Sequence, residues 1–222
     1  TSSTTNNVTV HRDGSTPFRI FNIGSGLTNV TFKRLTIENG LATEGGGIYN
    51  NGSTVTLAET NVCDNRADGG NTRGGGVYNN GGLMTLDNTQ ICRNQAINGY
   101  GGGIYNTAAT TLTLPNLIIR HGSKIYSNSA SGRNTSATTA QTAGGGIFNA
   151  TNGNVQITDT LIGDDGTGTY TANSAGLFGG GLANQGVANL TNSQVLANTA
   201  DTGGGLYNTG VLTVDNTQVA YN

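Results

Sequence analysis

The chain has 222 residues, 34% hydrophobic and 10% charged, with 37 glycines against only two prolines. Glycine at that level without a Gly-X-Y period excludes collagen, and the regular placement of Val, Ile and Leu excludes a disordered tract. A net charge of −2, no dense basic face and no apolar run of bilayer length argue against a nucleic-acid partner and against a membrane span in this segment.

Residues 1–7 are polar. Val8-Thr9-Val10 reads as a strand, and Phe18 to Ile23 as a second one with period-two alternation. A regular register follows. Val30-Thr31-Phe32, Val55-Thr56-Leu57, Met84-Thr85-Leu86, Leu112-Thr113-Leu114, Val155-Gln156-Ile157, Ala188-Asn189-Leu190 and Leu212-Thr213-Val214 spell one element seven times, apolar residues flanking a polar one. Two side chains then point inward and one outward. Five residues beyond each comes a second apolar column: Ile37, Val62, Ile91, Ile119, Ile162, Val195 and Val219.

A triple glycine follows at Gly45, Gly74, Gly101, Gly144, Gly179 and Gly203, each time leading into a third apolar column: Ile48, Val77, Ile104, Ile147, Leu182 and Leu206. Successive triple glycines are 29, 27, 43, 35 and 24 residues apart. Such self-similarity marks a solenoid, whose repeats bury their apolar faces only against their neighbours. The expected fold is all-β: a single parallel β-helix over residues 1–222, about seven coils with three short strands per coil, and a surface loop insertion at 131–142. Glycines and the lack of any 3.6 period exclude helix.

Two asparagine columns accompany the repeat. Asn50, Asn79, Asn106, Asn149, Asn184 and Asn208 follow the third strand; Asn65, Asn94, Asn128, Asn173, Asn198 and Asn222 follow the second. Asn tolerates the left-handed conformation of a sharp corner, and its amide can bond to the same amide one coil away. Both columns are read as structural ladders. Triplets of the form N-x-[ST] at Asn7, Asn29, Asn51, Asn134, Asn149 and Asn189 are glycan acceptors only in a cell that glycosylates.

Three groups of residues are candidates for chemistry. Cys63 and Cys92 occupy one column in consecutive coils, within disulfide reach at the spacing of paired strands; the other reading is two stacked thiols. Tyr49, Tyr78, Tyr105, Phe148, Ala183 and Tyr207 each follow an inward aliphatic residue and so face outward, as a sugar- or partner-binding strip or as rings stacked under a neighbouring loop. Asp164-Asp165-Gly166-Thr167-Gly168 is either a Ca²⁺ loop or an acidic turn; no other cofactor is expected.

The GG-x-I element ending in Gly46-Gly47-Ile48, alternating with the apolar-x-x-N element Val62-Cys63-Asp64-Asn65, resembles the repeats of polymorphic outer-membrane proteins and related bacterial surface adhesins of the pectate-lyase-like right-handed β-helix class. The aromatic of that family's F-x-x-N is Val or Ile here. The resemblance implies right-handed coils and an extracellular, adhesive or structural module at the cell surface, and it brings no catalytic residues.

The functional expectation is a non-enzymatic stalk, adhesin or filament subunit, with itself or a surface glycan or protein as partner. The competing expectation is a polysaccharide lyase or hydrolase, for which Asp64, Asp68 and Asp87 beside Arg66 and Arg93 are the available acids and bases. A third is ice binding on Thr31, Thr56, Thr85, Thr113 and Thr213. The chain stops at Asn222, after the second strand of a coil, which fits a piece of a longer surface protein or an end completed by the next subunit. Residues 1–133 carry ten bases and seven acids and residues 134–222 five Asp and no base, a gradient along the rod that would favour head-to-tail contact.

Overall fold

The structure, a computed structural model, describes residues 8–110, 113–132 and 142–222. Among these every regular element is a β-strand, and all strand pairing is parallel between successive coils. Three long sheets run the length of the molecule. Sheet I stacks seven strands beginning with Val30–Lys33 and Val55–Ala58 and ending with Val211–Asp215. Sheet II stacks eight, from Val8–His11 to Gln218–Ala220. Sheet III stacks seven, from Phe21–Ile23 to Leu206–Asn208. The fold is a parallel β-helix.

Period-two alternation decides what each strand buries. In the coil of Val77, the inward side chains Val77, Met84, Leu86 and Ile91 have no exposed surface. Each contributes about 2 kcal/mol of apolar transfer, which the short strands need because no single coil has a core of its own.

Each glycine of the triplet answers to a separate close approach. The first, such as Gly101 at φ 66°, turns left-handed, and a Cβ there would meet the Ile104 carbonyl oxygen at 2.3 Å. At the second, Gly102, a Cβ would lie 2.5 Å from carbonyl oxygens of Gly145 and Ser129. At the third, Gly103, it would press on the Asn128 amide at 3.0 Å, so the glycine column makes room for the ladder.

Both asparagine ladders are present. After sheet III, the side-chain amide of Asn50 donates to Asn79 Oδ1 at 2.9 Å, and the chain of bonds continues through Asn106, Asn149 and Asn184 to Asn208. After sheet II it runs from Asn65 through Asn94, Asn128, Asn173 and Asn198 to Asn222 at 2.9–3.1 Å. Asn149, a glycan-acceptor triplet in sequence, is one of these rungs and fully buried. The ladder residues do not themselves turn left-handed, against expectation. Positive φ falls on the residue before the second ladder, at Asp64, Arg93, Ser127, Ala197 and Tyr221. The sharp bend there aims the following Asn inward, where it satisfies the corner's own backbone.

The corner between sheets I and II carries a third ladder that the sequence reading missed, built from the hydroxyls of Thr60, Thr89, Ser123, Thr160, Ser193 and Thr217. The Thr89 N–H donates to Ser123 Oγ and the Ser193 N–H to Thr217 Oγ1, while Thr89 Oγ1 donates to the Leu57 carbonyl.

Three expectations are corrected. Leu112-Thr113-Leu114 is not the sheet I strand of its coil: Leu112 lies outside the described residues and Leu114 is 75% exposed. That strand is Leu117–Arg120, with Ile119 paired to Leu86, and Ile125 takes the second-column place assigned to Ile119. The reason is Asn116, which exchanges two amide hydrogen bonds with Asn106 and so pins the strand start beyond Pro115. Thr113 therefore leaves the threonine column, where Ile118 stands beside Thr85.

The second correction is to the three-strand coil, since two small sheets of very short strands fill the corner before the triple glycine. One stacks buried Ala67, Ala96, Ala130 and Ala175; the other pairs Thr72–Arg73 with Gly99–Tyr100. The third concerns the strand expected from Phe18, which spans only Phe21–Ile23. Of the loop expected at 131–142, residues 133–141 lie outside the described residues; Ser131 ends a strand and Thr142 is buried.

Candidate binding face

Sheet III carries the aromatic column on its outer surface. Tyr49, Tyr78, Tyr105, Phe148, Ala183 and Tyr207 are register partners in successive coils. Tyr78 packs edge-on against Tyr49 and Tyr105 with centroids 5.1 Å apart, and Tyr105 stacks on Phe148 at 5.2 Å. Tyr78 and Phe148 are buried although they face outward.

What buries them is a second column, set one residue before each triple glycine: Glu44, Arg73, Tyr100, Ala143, Phe178 and Thr202. The two columns alternate in bulk. Where the second has Ala143 the first has Phe148, and where the first has Ala183 the second has Phe178. Tyr100 tilts against Phe148 at 4.7 Å and Phe178 against Tyr207 at 4.5 Å. A fixed offset from the glycines was the signal available in the sequence, hidden because the residue types in this column are mixed.

Cations cover the basic end of this face. The Arg19 guanidinium lies 4.6 Å over the Tyr49 ring and that of Arg73 5.7 Å from the Tyr105 centroid. Arg73 is held by Glu44 at 2.6 Å, and the Asn80 amide donates to Tyr49 Oη. Burial pushes the Tyr78 hydroxyl up to about 12, opposed by the nearby Arg73 charge, and pushes Tyr105 in the same direction. The neutral phenol is thus kept to higher pH in the folded than in the unfolded chain. Its stability is intact below the ordinary tyrosine range near pH 10 and is lost as pH rises towards 12. Alkaline titration followed by circular dichroism and phenolate absorbance is expected to show unfolding in that window, and Tyr78→Phe is expected to move it upward.

Sheet II joins Cys63 to Cys92 in a disulfide with Cα atoms 4.5 Å apart. Tyr126, the next member of the column, packs beside it and against Tyr170, whose ring takes Lys124 at 4.1 Å. The bond closes a 29-residue loop, one whole coil. Replacing both cysteines by Ala is expected to cost about 3 kcal/mol, measurable by urea unfolding with and without reductant. A persistent disulfide belongs to an oxidising compartment, outside the reducing cytosol.

The remaining candidates sit apart from this face. Asp64 accepts from Arg93 Nε and Nη2, Arg66 pairs with Asp68, and Asp87 takes Arg120 and His121. Asp64 and Asp68 do share a cleft of about 370 Å³ with Arg12 and Arg66. Asp164 and Asp165 close their own turn, Asp165 accepting from both the backbone and hydroxyl of Thr167. Among the described residues no cluster of three or more His, Cys, Asp or Glu side chains comes together. An open groove of about 850 Å³ follows the hydroxyl-ladder corner of the later coils, lined by Asp159, Gln194 and Gln218 among others.

Fold and face together define a parallel β-helix with two amide ladders, a coil-to-coil disulfide and an aromatic column along one sheet, flanked by a mixed column at the adjoining corner. No family model, curated protein or solved structure matches the chain.

Proposed function

We propose that the chain is a non-enzymatic structural rod of the cell exterior, serving as a stalk, adhesin or filament subunit. The observation that carries this reading is the pair of amide ladders, which hold a buried side chain of every interior coil to the next one. A rod so bonded resists local opening, as a load-bearing or surface-exposed module must. The disulfide adds a covalent tie suited to an oxidising exterior. Surface proteins of the β-helix class, which the repeats resemble, fit the same reading.

Apolar side chains are exposed at both ends of the described stack, Val8 and Phe18 at one and Val211, Val214 and Val219 at the other, in or next to the edge strands of the sheets. A second copy stacked on these edge strands would extend the sheets, and at the later end, where Asn208 and Asn222 are the last rungs, the ladders as well. Sizing and negative-stain imaging at low and high salt test the head-to-tail form: filaments weakened by salt support it, and compact monomers at every concentration refute it.

A polysaccharide-degrading enzyme is the second reading, favoured by the Asp64, Asp68, Arg12 and Arg66 cleft. Against it stands the pairing of each of these carboxylates with an arginine. New reducing ends or unsaturated products from pectin or alginate, lost in Asp64→Asn, would establish the enzyme instead.

A further inference from the structure

We propose that a methylated ammonium group binds in the aromatic pocket where Ala183 interrupts the ring column. The pocket holds about 80 Å³ and is walled by Tyr100, Phe148, Phe178 and Tyr207, with Ala143 and Ala183 as its small residues. Two pairs of packed rings, Tyr100 with Phe148 and Phe178 with Tyr207, therefore border one small void. A void of that size suits a trimethylammonium head, and ring faces attract a cation through their quadrupoles.

Charge selects the occupant. At the basic end the same face is already served by the chain's own cations, Arg19 over Tyr49 and Arg73 over Tyr105. Residues 134–222, which supply three of the four rings, contain five Asp and neither Lys nor Arg. None of the described residues lining the pocket is charged, so its aromatic walls lie where these residues supply no cation to cover them. Arg73, the nearest cation of the second column, is neutralised by Glu44. A bare ammonium is too strongly hydrated to enter such walls cheaply, whereas a methylated one sheds its water and fills the space. Gln185 and Thr209 also line the pocket and offer polar contacts to whatever carries the cation. This inference goes beyond the structural role and does not depend on it.

The test is calorimetric and NMR titration of the full chain with choline, its neutral tert-butyl isostere, and a trimethyl-lysine peptide beside its unmethylated form. Choline or the methylated peptide is expected to bind about tenfold more tightly than the neutral or unmethylated control. The tighter of the two identifies a free headgroup or a modified side chain as the source. Phe178→Leu and Tyr207→Leu are each expected to lower the affinity about tenfold, while Tyr170→Leu, at a ring away from this face that Lys124 already covers, leaves it unchanged. Ala183→Val, which fills the floor without removing a ring, is expected to block binding and serves if a ring variant does not fold. Equal binding of the isostere, undiminished affinity in folded Phe178→Leu and Tyr207→Leu, or no saturable binding to the wild-type chain would overturn the proposal.

Discussion

Asn94→Ala is expected to be among the most damaging single truncations in the rod, at about 3–6 kcal/mol. The Asn94 side chain accepts from the backbone N–H and the amide of Asn65, and donates to the Val62 carbonyl at 2.8 Å and to Asn128 Oδ1 at 3.0 Å. All of this is buried, so removal leaves the Asn65 backbone N–H without its partner where water cannot replace it. It also takes one bond each from the Asn65 amide, the Val62 carbonyl and Asn128 Oδ1, although the Asn65 amide keeps the Ile37 and Cys63 carbonyls and Asn128 Oδ1 keeps the Asn94 N–H. The stranded group costs about 1–3 kcal/mol and each lost bond about 1 kcal/mol, against about 5–15 kcal/mol for a whole domain. Asn94→Asp separates bonding from packing. It keeps the shape but presents a second acceptor to Val62 and Asn128, and is expected to destabilise at least as much as Ala. Asn222→Ala, at an exposed end rung, is expected to lose only about 1 kcal/mol. Urea unfolding with hydrogen exchange of the flanking coils checks the series, and equal costs at positions 94 and 222 would show that the ladder does not stabilise.

The second large effect is expected for Gly102→Ala. A methyl there would sit within 2.5 Å of backbone atoms of both Ser129 and Gly145. Neither is the end of a flexible side chain, so relief requires two coils to separate and their parallel hydrogen bonds to stretch. The expected cost is about 3 kcal/mol or more, at the upper end of overpacking. Gly70→Ala is the control, since nothing lies within 4 Å of a Cβ there. It is expected to be neutral or slightly stabilising through the unfolded state. Thermal melts of the two variants measure the contrast, and similar melting temperatures would refute the reading of the triple glycine as a coil-contact device.

The inward residues were legible because they repeat. Ile48, Val77, Ile104, Ile147, Leu182 and Leu206 pair in register as their spacing from the glycines requires. The one slip in the core came from a three-letter pattern too short to be unique. Leu112-Thr113-Leu114 spells the apolar-polar-apolar alternation that the true strand, Leu117-Ile118-Ile119, lacks, and the sequence does not say that Asn116 will dock on Asn106. The short alanine sheet was also present in sequence, as Asn65-Arg66-Ala67, Asn94-Gln95-Ala96 and Asn128-Ser129-Ala130. It escaped because alanine is a weak marker of a core. The hydroxyl ladder escaped for a similar reason, since Thr and Ser are common throughout the chain and only burial distinguishes the rungs.

The candidate binding face was half legible. Alternation correctly put Tyr49, Tyr78 and Tyr105 outside the aliphatic core, yet it gave no account of what lies over them. That depends on Arg19, Arg73, Tyr100 and Phe178, which reach the rings from other coils and around a corner. By itself the sequence determined the coil period, the inward stacks and the amide rungs, because each repeats at a fixed offset and a side chain's direction in a strand follows from parity alone. Only the tertiary structure decided which outward rings are capped by a guanidinium and which enclose a pocket, because the column that covers them repeats in position but not in residue type and meets them around a corner that strand parity does not describe.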